Sequence, residues 1–298
     1  MTPSGARRTL RGSGLDTVLP YLMIGPTLFL VLGVVVYPLI DGLRSSTEFF
    51  RFGRAVRSVG LDNYAQAFAD PRFIEALLTT ARFVVLAVTI EMVLGLGLAI
   101  LCAREVRFIR HIRATLILPM IVTPVVVGIV FRLIYASDVG MLASFAHALG
   151  MDPPQILSSG TGAFWGLVFL DVWEWTPLMF LILLAGIQSM PVEPFEAARV
   201  DGAGAWRTFV DHTLPLLRPI ILVAITLRSI DALTTFDQVY VLTRGGPGTS
   251  TQLISIYAYQ TFFQFQQTGY AAAMLFIVAV LLLVAAGFAV GMMRRRGR

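Results

Sequence analysis

Glu196-Ala197-Ala198-Arg199-Val200-Asp201-Gly202-Ala203-Gly204-Ala205-Trp206-Arg207-Thr208-Phe209-Val210-Asp211-His212-Thr213-Leu214-Pro215 is a polar island set between two long apolar stretches. Its spacing predicts a short helix, a turn and a second short helix. Pro191 and Pro194 suit a helix start that residues 195–200 continue. Gly202 and Gly204 permit a reversal, and residues 205–213 form the next helix until Pro215 stops it. Ala197 and Ala198 are small enough for close approach by another surface, and Glu196 offers it a carboxylate. Phe195, Val200, Trp206, Phe209 and Leu214 would leave much apolar surface on a solvated loop, so the island reads as a docking surface.

The rest of the chain belongs in lipid. Of its 298 residues 56% are hydrophobic and 14% charged, with a mean hydropathy of +0.77, more apolar surface than one soluble core of this length can hide. Apolar runs at 17–40, 73–102, 114–134, 163–188, 219–242 and 269–293 each approach or exceed the roughly twenty residues that a bilayer core requires. They are too long and continuous for barrel strands. The expected fold is therefore an all-α polytopic membrane protein with six transmembrane helices. The first run follows Arg7, Arg8 and Arg11 like a secretory signal, but its 24 uncharged residues lack a small-residue cleavage pattern, and it is expected to stay as a span.

Charge sets orientation. The 23 basic residues are all arginine and give a net charge of +5 that carries no nucleic-acid implication. With the N-terminus inside and sides alternating, fourteen arginines fall inside and six outside, leaving Arg82, Arg132 and Arg228 within spans. Both termini are thus expected in the cytoplasm, with a tail at 1–17, a permease-like domain at 18–293, the docking loop at about 189–218 on the inner side, and a basic tail at 294–298.

Several chemistries are excluded. A phosphate-binding P-loop needs a lysine and the chain has none, so any ATP hydrolysis sits on another polypeptide. His111, His147 and His212 are far apart, no nucleophile–base–acid set is visible, and the single Cys102 leaves no disulfide or cysteine metal site. No catalytic residue, metal or cofactor is expected on this chain.

Ionisable groups inside the bilayer each cost on the order of 2.5–3.5 kcal/mol and so mark sites. Asp171 and Glu174 share a helix face beside Trp173 and Trp175, roughly 12 to 17 Å deep at about 1.5 Å per residue. Carboxylates next to indoles suit sugar hydroxyls and C–H faces; equally, both acids can pair with Arg82 or Arg132 and hold the bundle together, and these two arginines are themselves pathway candidates that would suit an anionic solute. Arg228 and Asp231, three apart, read as an intrahelical pair, and Glu91 as the partner of a base on a neighbouring helix. Asp237 and Gln238 lie nearer the outer mouth as candidates for solute contact, whereas Gln260, Gln264, Gln266 and Gln267, interleaved with Phe262, Phe263 and Phe265, read as an interfacial helix.

The island resembles the Glu-Ala-Ala loop of permease subunits of bacterial ABC importers, matching at Glu196, Ala197, Ala198, Gly202, Leu214 and Pro215 and departing at His212, where the family usually has Ile. Residues 59–64, Asp70-Pro71-Arg72-Phe73, the run from Leu118-Pro119 to Arg132, residues 172–177 and the outer segment 236–248 with Gly245-Gly246-Pro247 are similar to the carbohydrate branch of those importers, which take up sugars, polyols and glycerol phosphates, and within it to the larger permease of maltose-type systems. The resemblance implies a multi-pass inner-membrane subunit that forms half of a pathway. Its partners would be an ATPase dimer that binds ATP and Mg and docks at Glu196, Ala197, Ala198, Asp201, Gly202, Leu214 and Pro215, a second and different permease chain, and an extracytoplasmic solute-binding protein received at Gly245, Gly246 and Pro247. The rivals are an ABC permease for another solute class and a secondary carrier driven by an ion gradient through Glu91, Asp171 or Glu174.

Overall fold

The computed structural model describes residues 14–51, 54–103 and 108–296. The arginines of the N-terminal tail, Arg104, Arg107 and Arg298 lie outside the described residues, as do the side chains of Arg294, Arg295 and Arg296. Helix α1 (Gly14–Val31) runs through a π-helical stretch, Leu32–Val36, into α2 (Tyr37–Ser46). A small antiparallel hairpin follows, β1 (Glu48–Arg51) with β2 (Arg54–Ser58), Glu48 opposite Ser58. Then come α3 (Asp62–Ala69), α4 (Pro71–Ala103), α5 (Ile109–Ile121), α6 (Pro124–Ile134), α7 (Met141–Ala148), α8 (Gly160–Gln188), α9 (Glu193–Val200), α10 (Ala205–Thr208), α11 (Leu214–Thr234), α12 (Asp237–Leu242), α13 (Ile254–Tyr259) and α14 (Thr268–Arg296).

Among the described residues four helical runs are long and apolar enough to cross a membrane: Leu19–Ser46, Pro71–Ala103, Gly160–Gln188 and Thr268–Gly287. The expected straight span at 114–134 is instead a pair, α5 and α6, bent by 93°. Pro124 at the start of α6 disfavours helical backbone at Thr123, and Val122 and Thr123 are both extended, which breaks the helix there. The expected span at 219–242 is also broken, because α11 ends at Thr234 and α12 begins at Asp237. Packing accounts for this second break: α12 lies on α6, where Gly128 leaves room for the Gln238 backbone, and Ser255 Oγ donates to the freed Thr235 carbonyl at 2.5 Å.

The core is built on α4 against α8. At Gly95 a Cβ would come within 2.7 Å of Met179 Cβ and 3.0 Å of the Phe180 nitrogen, so the two backbones approach as only glycine permits. Around the hairpin and the start of α4, polar groups clamp the helix ends. Asn63 Nδ2 donates to the carbonyls of Ser46 (2.8 Å) and Glu48 (3.1 Å), fixing the hairpin to α3. Asp70 caps α4 by accepting from the Arg72 amide at 2.9 Å and receives the hydroxyls of Tyr257 and Tyr270, each at 2.6 Å, so one carboxylate joins α4, α13 and α14. Partial burial acts to raise its pKa, but those hydroxyls and the Arg72 and Phe73 amides outweigh it and hold the carboxyl below its ordinary value.

Candidate functional site

The bilayer-depth charges converge on Arg228. Its guanidinium donates from Nε to Glu91 Oε2 at 2.9 Å and from Nη2 to Glu91 Oε1 at 3.0 Å, from Nη1 to Asp231 Oδ2 at 2.9 Å, and from Nη2 to Asp171 Oδ2. Gln238 Nε2 completes Asp171 by donating to Oδ1 at 2.6 Å, and the Trp175 ring lies 5.1 Å from the guanidinium carbon. One arginine thus ties α4, α8, α11 and α12 together. The expected Arg228–Asp231 pair and the expected basic partner of Glu91 are both present, and they are the same residue. The expected pairing of Asp171 or Glu174 with Arg82 or Arg132 is not formed among the described residues: Arg132 Nη1 donates to the Val241 carbonyl at 3.2 Å, and Arg82 lines an outer groove. Both arginines point off the exposed sides of their helices, whereas α11 lies against α4 and α8 and brings its own cation to the buried acids.

The site residues divide by access. Asp171, Glu174 and Gln238 are buried, and Glu174 Oε2 has no hydrogen-bond partner among the described residues. Trp173 packs on Phe131 with ring centroids 5.4 Å apart while remaining 41% exposed; Trp175 is half-buried and Asp237 exposed.

The loop at 189–218 forms the expected helix and turn with one difference. In α9, Glu196 and Ala197 are exposed and Ala198 is buried. Gly202, at φ +70°, ends that helix: its amide donates to the Arg199 carbonyl (3.1 Å) and the Ala203 amide to the Ala198 carbonyl (2.9 Å). Asp201 is exposed, and Leu214 and Pro215 are half-buried. Pro215 does not stop the second helix. The preceding residues Phe209–Thr213 form a π-helical stretch, with the Leu214 amide reaching Phe209, and this wider turn lets the chain run on into α11. His212 stands against Phe195, ring centroids 6.5 Å apart, so it holds α9 to the root of α11. Val200 and Trp206 remain 87% and 76% exposed.

In the turn after α12, Gly245 (φ +93°) is buried and Gly246 and Pro247 are half-buried. Thr251 closes the turn through its amide to the Gly245 carbonyl (3.2 Å) and its Oγ1 to the Gly246 carbonyl (2.8 Å). Thr249 Oγ1 donates to Glu75 at 2.7 Å, and Thr80 Oγ1 accepts the Ile254 amide at 2.8 Å, seating the turn on α4. Beside it opens a groove of about 730 Å³ lined by Asp70, Glu75, Arg82, Thr161, Thr249 and Ser250 among others.

Residues 93–297 match the family described as binding-protein-dependent transport system inner membrane component. The chain belongs to this family. Among relatives of the inner membrane component, the trehalose/maltose transport system permease protein MalF of Thermococcus litoralis is 35% identical over 90% of this chain and 91% of its own length. The sulfoquinovosyl glycerol transport system permease protein SmoG of Agrobacterium fabrum is 33% identical over 89% and 87%. A bacterial alginate ABC transporter chain, solved in complex with an alginate pentasaccharide-bound periplasmic protein, superposes with a TM-score of 0.82 at 23% identity over 95% of this chain and 96% of its own, a likeness of fold. The chain is accordingly a multi-pass membrane subunit of a transport system.

Proposed function

We propose that this chain is the permease subunit of an ATP-driven ABC importer and forms half of the pathway for a sugar, polyol or sugar derivative. The observation that carries the reading is the inner loop: a glycine-turned helix pair that presents Glu196, Ala197, Val200 and Trp206 outward, uncovered among the described residues. Permeases with sugar-type cargoes in their names align over nine-tenths of the chain, which supports the solute class.

Six spans with both termini cytoplasmic fit this role. Helix α11 supplies the sixth: its 21 residues reach about 31 Å, and its buried Arg228 is neutralised by Asp231 one turn on and by the acids of α4 and α8. The arginine distribution orients the loop inward. Closure of an ATPase dimer, which binds the ATP and Mg, then moves α9 and α10, and the π-helical stretch passes that motion directly into α11. A second permease chain completes the pathway. A solute-binding protein delivers cargo at the outer turn around Pro247, where the Arg82 groove opens. Trp173, Trp175 and Asp237 are the accessible solute contacts; Asp171, Glu174 and Gln238 stand behind them.

The secondary-carrier alternative loses support at Arg228, because Glu91 and Asp171 are committed to a guanidinium. The test is purification of the complex from its native membrane, followed by an ATPase assay with binding protein and candidate solutes. Co-purification of an ATPase and a second permease, with hydrolysis stimulated by a sugar-type solute, is expected. Isolation of the chain alone, with uptake driven by an ion gradient, overturns the reading.

A further inference from the structure

We infer that Phe236, Tyr240, Tyr259 and Phe263 form a stacking track that receives the C–H faces of pyranose rings on their way from the outer mouth to the break between α11 and α12. The inference rests on the carbohydrate reading above and adds a binding site to it. Phe236, Tyr240 and Tyr259 make a triangle of rings with centroids 5.3, 5.1 and 5.2 Å apart, drawn from α12, its N-cap and the end of α13. Phe263 continues it from Tyr259 at 4.9 Å, and Phe262 follows at 4.7 Å.

The file has direction. Its inner end, Phe236, directly follows Thr235 at the helix break, one turn beyond Asp231, whose side chain is 47% exposed while bonded to Arg228. Its outer end is open, with Phe263 at 62% exposure and Phe262 at 40%. A belt of interfacial aromatics places its rings at the membrane–water boundary; here five rings form a continuous chain of neighbours that runs to the helix break. Sugar rings are apolar on one face and hydroxylated at the rim, so they need an aromatic face with hydrogen-bonding groups beside it. Those groups are present. The Tyr240 and Tyr259 rings, each carrying a hydroxyl, meet edge to face with centroids 5.2 Å apart, and the Arg244 guanidinium lies 5.8 Å from the Tyr240 ring centre. Gln260, one residue past Tyr259, reaches Gln252 at 2.7 Å and the Arg244 carbonyl at 3.4 Å. Phe263, four residues past Tyr259 and within the π-helical stretch Gln260–Gln264, lies on the same helix side as Tyr259.

The test uses the purified complex in nanodiscs without binding protein, probed by saturation-transfer difference NMR with trehalose, maltotriose and a galacturonic acid trimer. Saturation of ring C–H protons of at least one probe is expected. It should fall roughly fivefold in Tyr259→Leu and in Phe263→Leu and persist in Tyr259→Phe, the size of losing one aromatic contact. Retention of the full signal in both leucine variants, or no signal from any probe on the wild-type complex, overturns the track. Co-purification of the partners with each variant controls for assembly. The importer reading is judged separately by solute-stimulated ATP hydrolysis with binding protein, so the two can fail independently.

Discussion

Arg228 and Glu91, 137 positions apart, meet as a two-pronged pair at 2.9 and 3.0 Å with both side chains fully buried. The guanidinium also holds Asp171 and Asp231, so its removal would strand carboxylates on three helices or helix faces at once. A buried ion pair adds little net stability over a hydrophobic replacement, but breaking one from a single side is costly.

Arg228→Met is therefore expected to lower stability by about 3–5 kcal/mol, seen as lost membrane abundance and a lower melting temperature of the complex. Arg228→Lys should rescue only in part, since an ammonium cannot match the planar fork that serves Glu91 and Asp171 together. Equal melting of Arg228→Met and wild type would contradict this account.

At the inner loop, Glu196→Lys reverses the exposed charge and Gly202→Val forces a branched side chain into φ +70°, where nothing else crowds the site. Both variants should lose most transport at unchanged membrane abundance, and solute should no longer stimulate hydrolysis. Normal uptake by both would remove the loop from the coupling path.

The α4–α8 crossing predicts a sharp positional contrast. Gly95→Ala drives a methyl against Met179 and the Phe180 backbone and should cost about 1–3 kcal/mol. Gly97→Ala, two residues on with open space around it, should be neutral or slightly stabilising. Melting of the two variants side by side checks the crossing.

The Asp70 clamp carries a pH dependence. Its carboxyl titrates below the ordinary 3.8 in the folded chain, so its contribution is complete above that value and is lost as pH falls through the lower folded value. Asp70→Asn should lose about 1–2 kcal/mol at neutral pH by giving up a charged acceptor for two tyrosines, and should lack this acid-induced loss. On the alkaline side, burial and then the Asp70 bond push Tyr257 up to about 12, so the clamp should persist through pH 10. Hydrogen exchange at the start of α4 reads both limits.

Much of this was legible along the chain. The apolar runs, the inner loop with its Gly202 reversal and the Arg228–Asp231 spacing are local signals, set by residues within a few turns of one another. Composition alone required a membrane, because 56% hydrophobic residues have no other solvent in a chain of this length.

What tertiary structure decided is whatever depends on two distant segments meeting. Sequence could say that Glu91 needs a base and that Asp171 needs a partner, but not that one arginine on α11 serves both, since Arg82 and Arg132 lay at comparable depth. The break after Thr234 has no proline or glycine to announce it; packing of α12 on α6 at Gly128 creates it. Pro215 reads as a helix stop until a π-helical turn widens the backbone ahead of it. The aromatic file joins residues 236, 240, 259 and 263, and a one-dimensional pattern cannot show that the second pair folds back upon the first. Hydropathy and turn chemistry fix where the chain enters the membrane; helix packing fixes which charge each buried charge will meet.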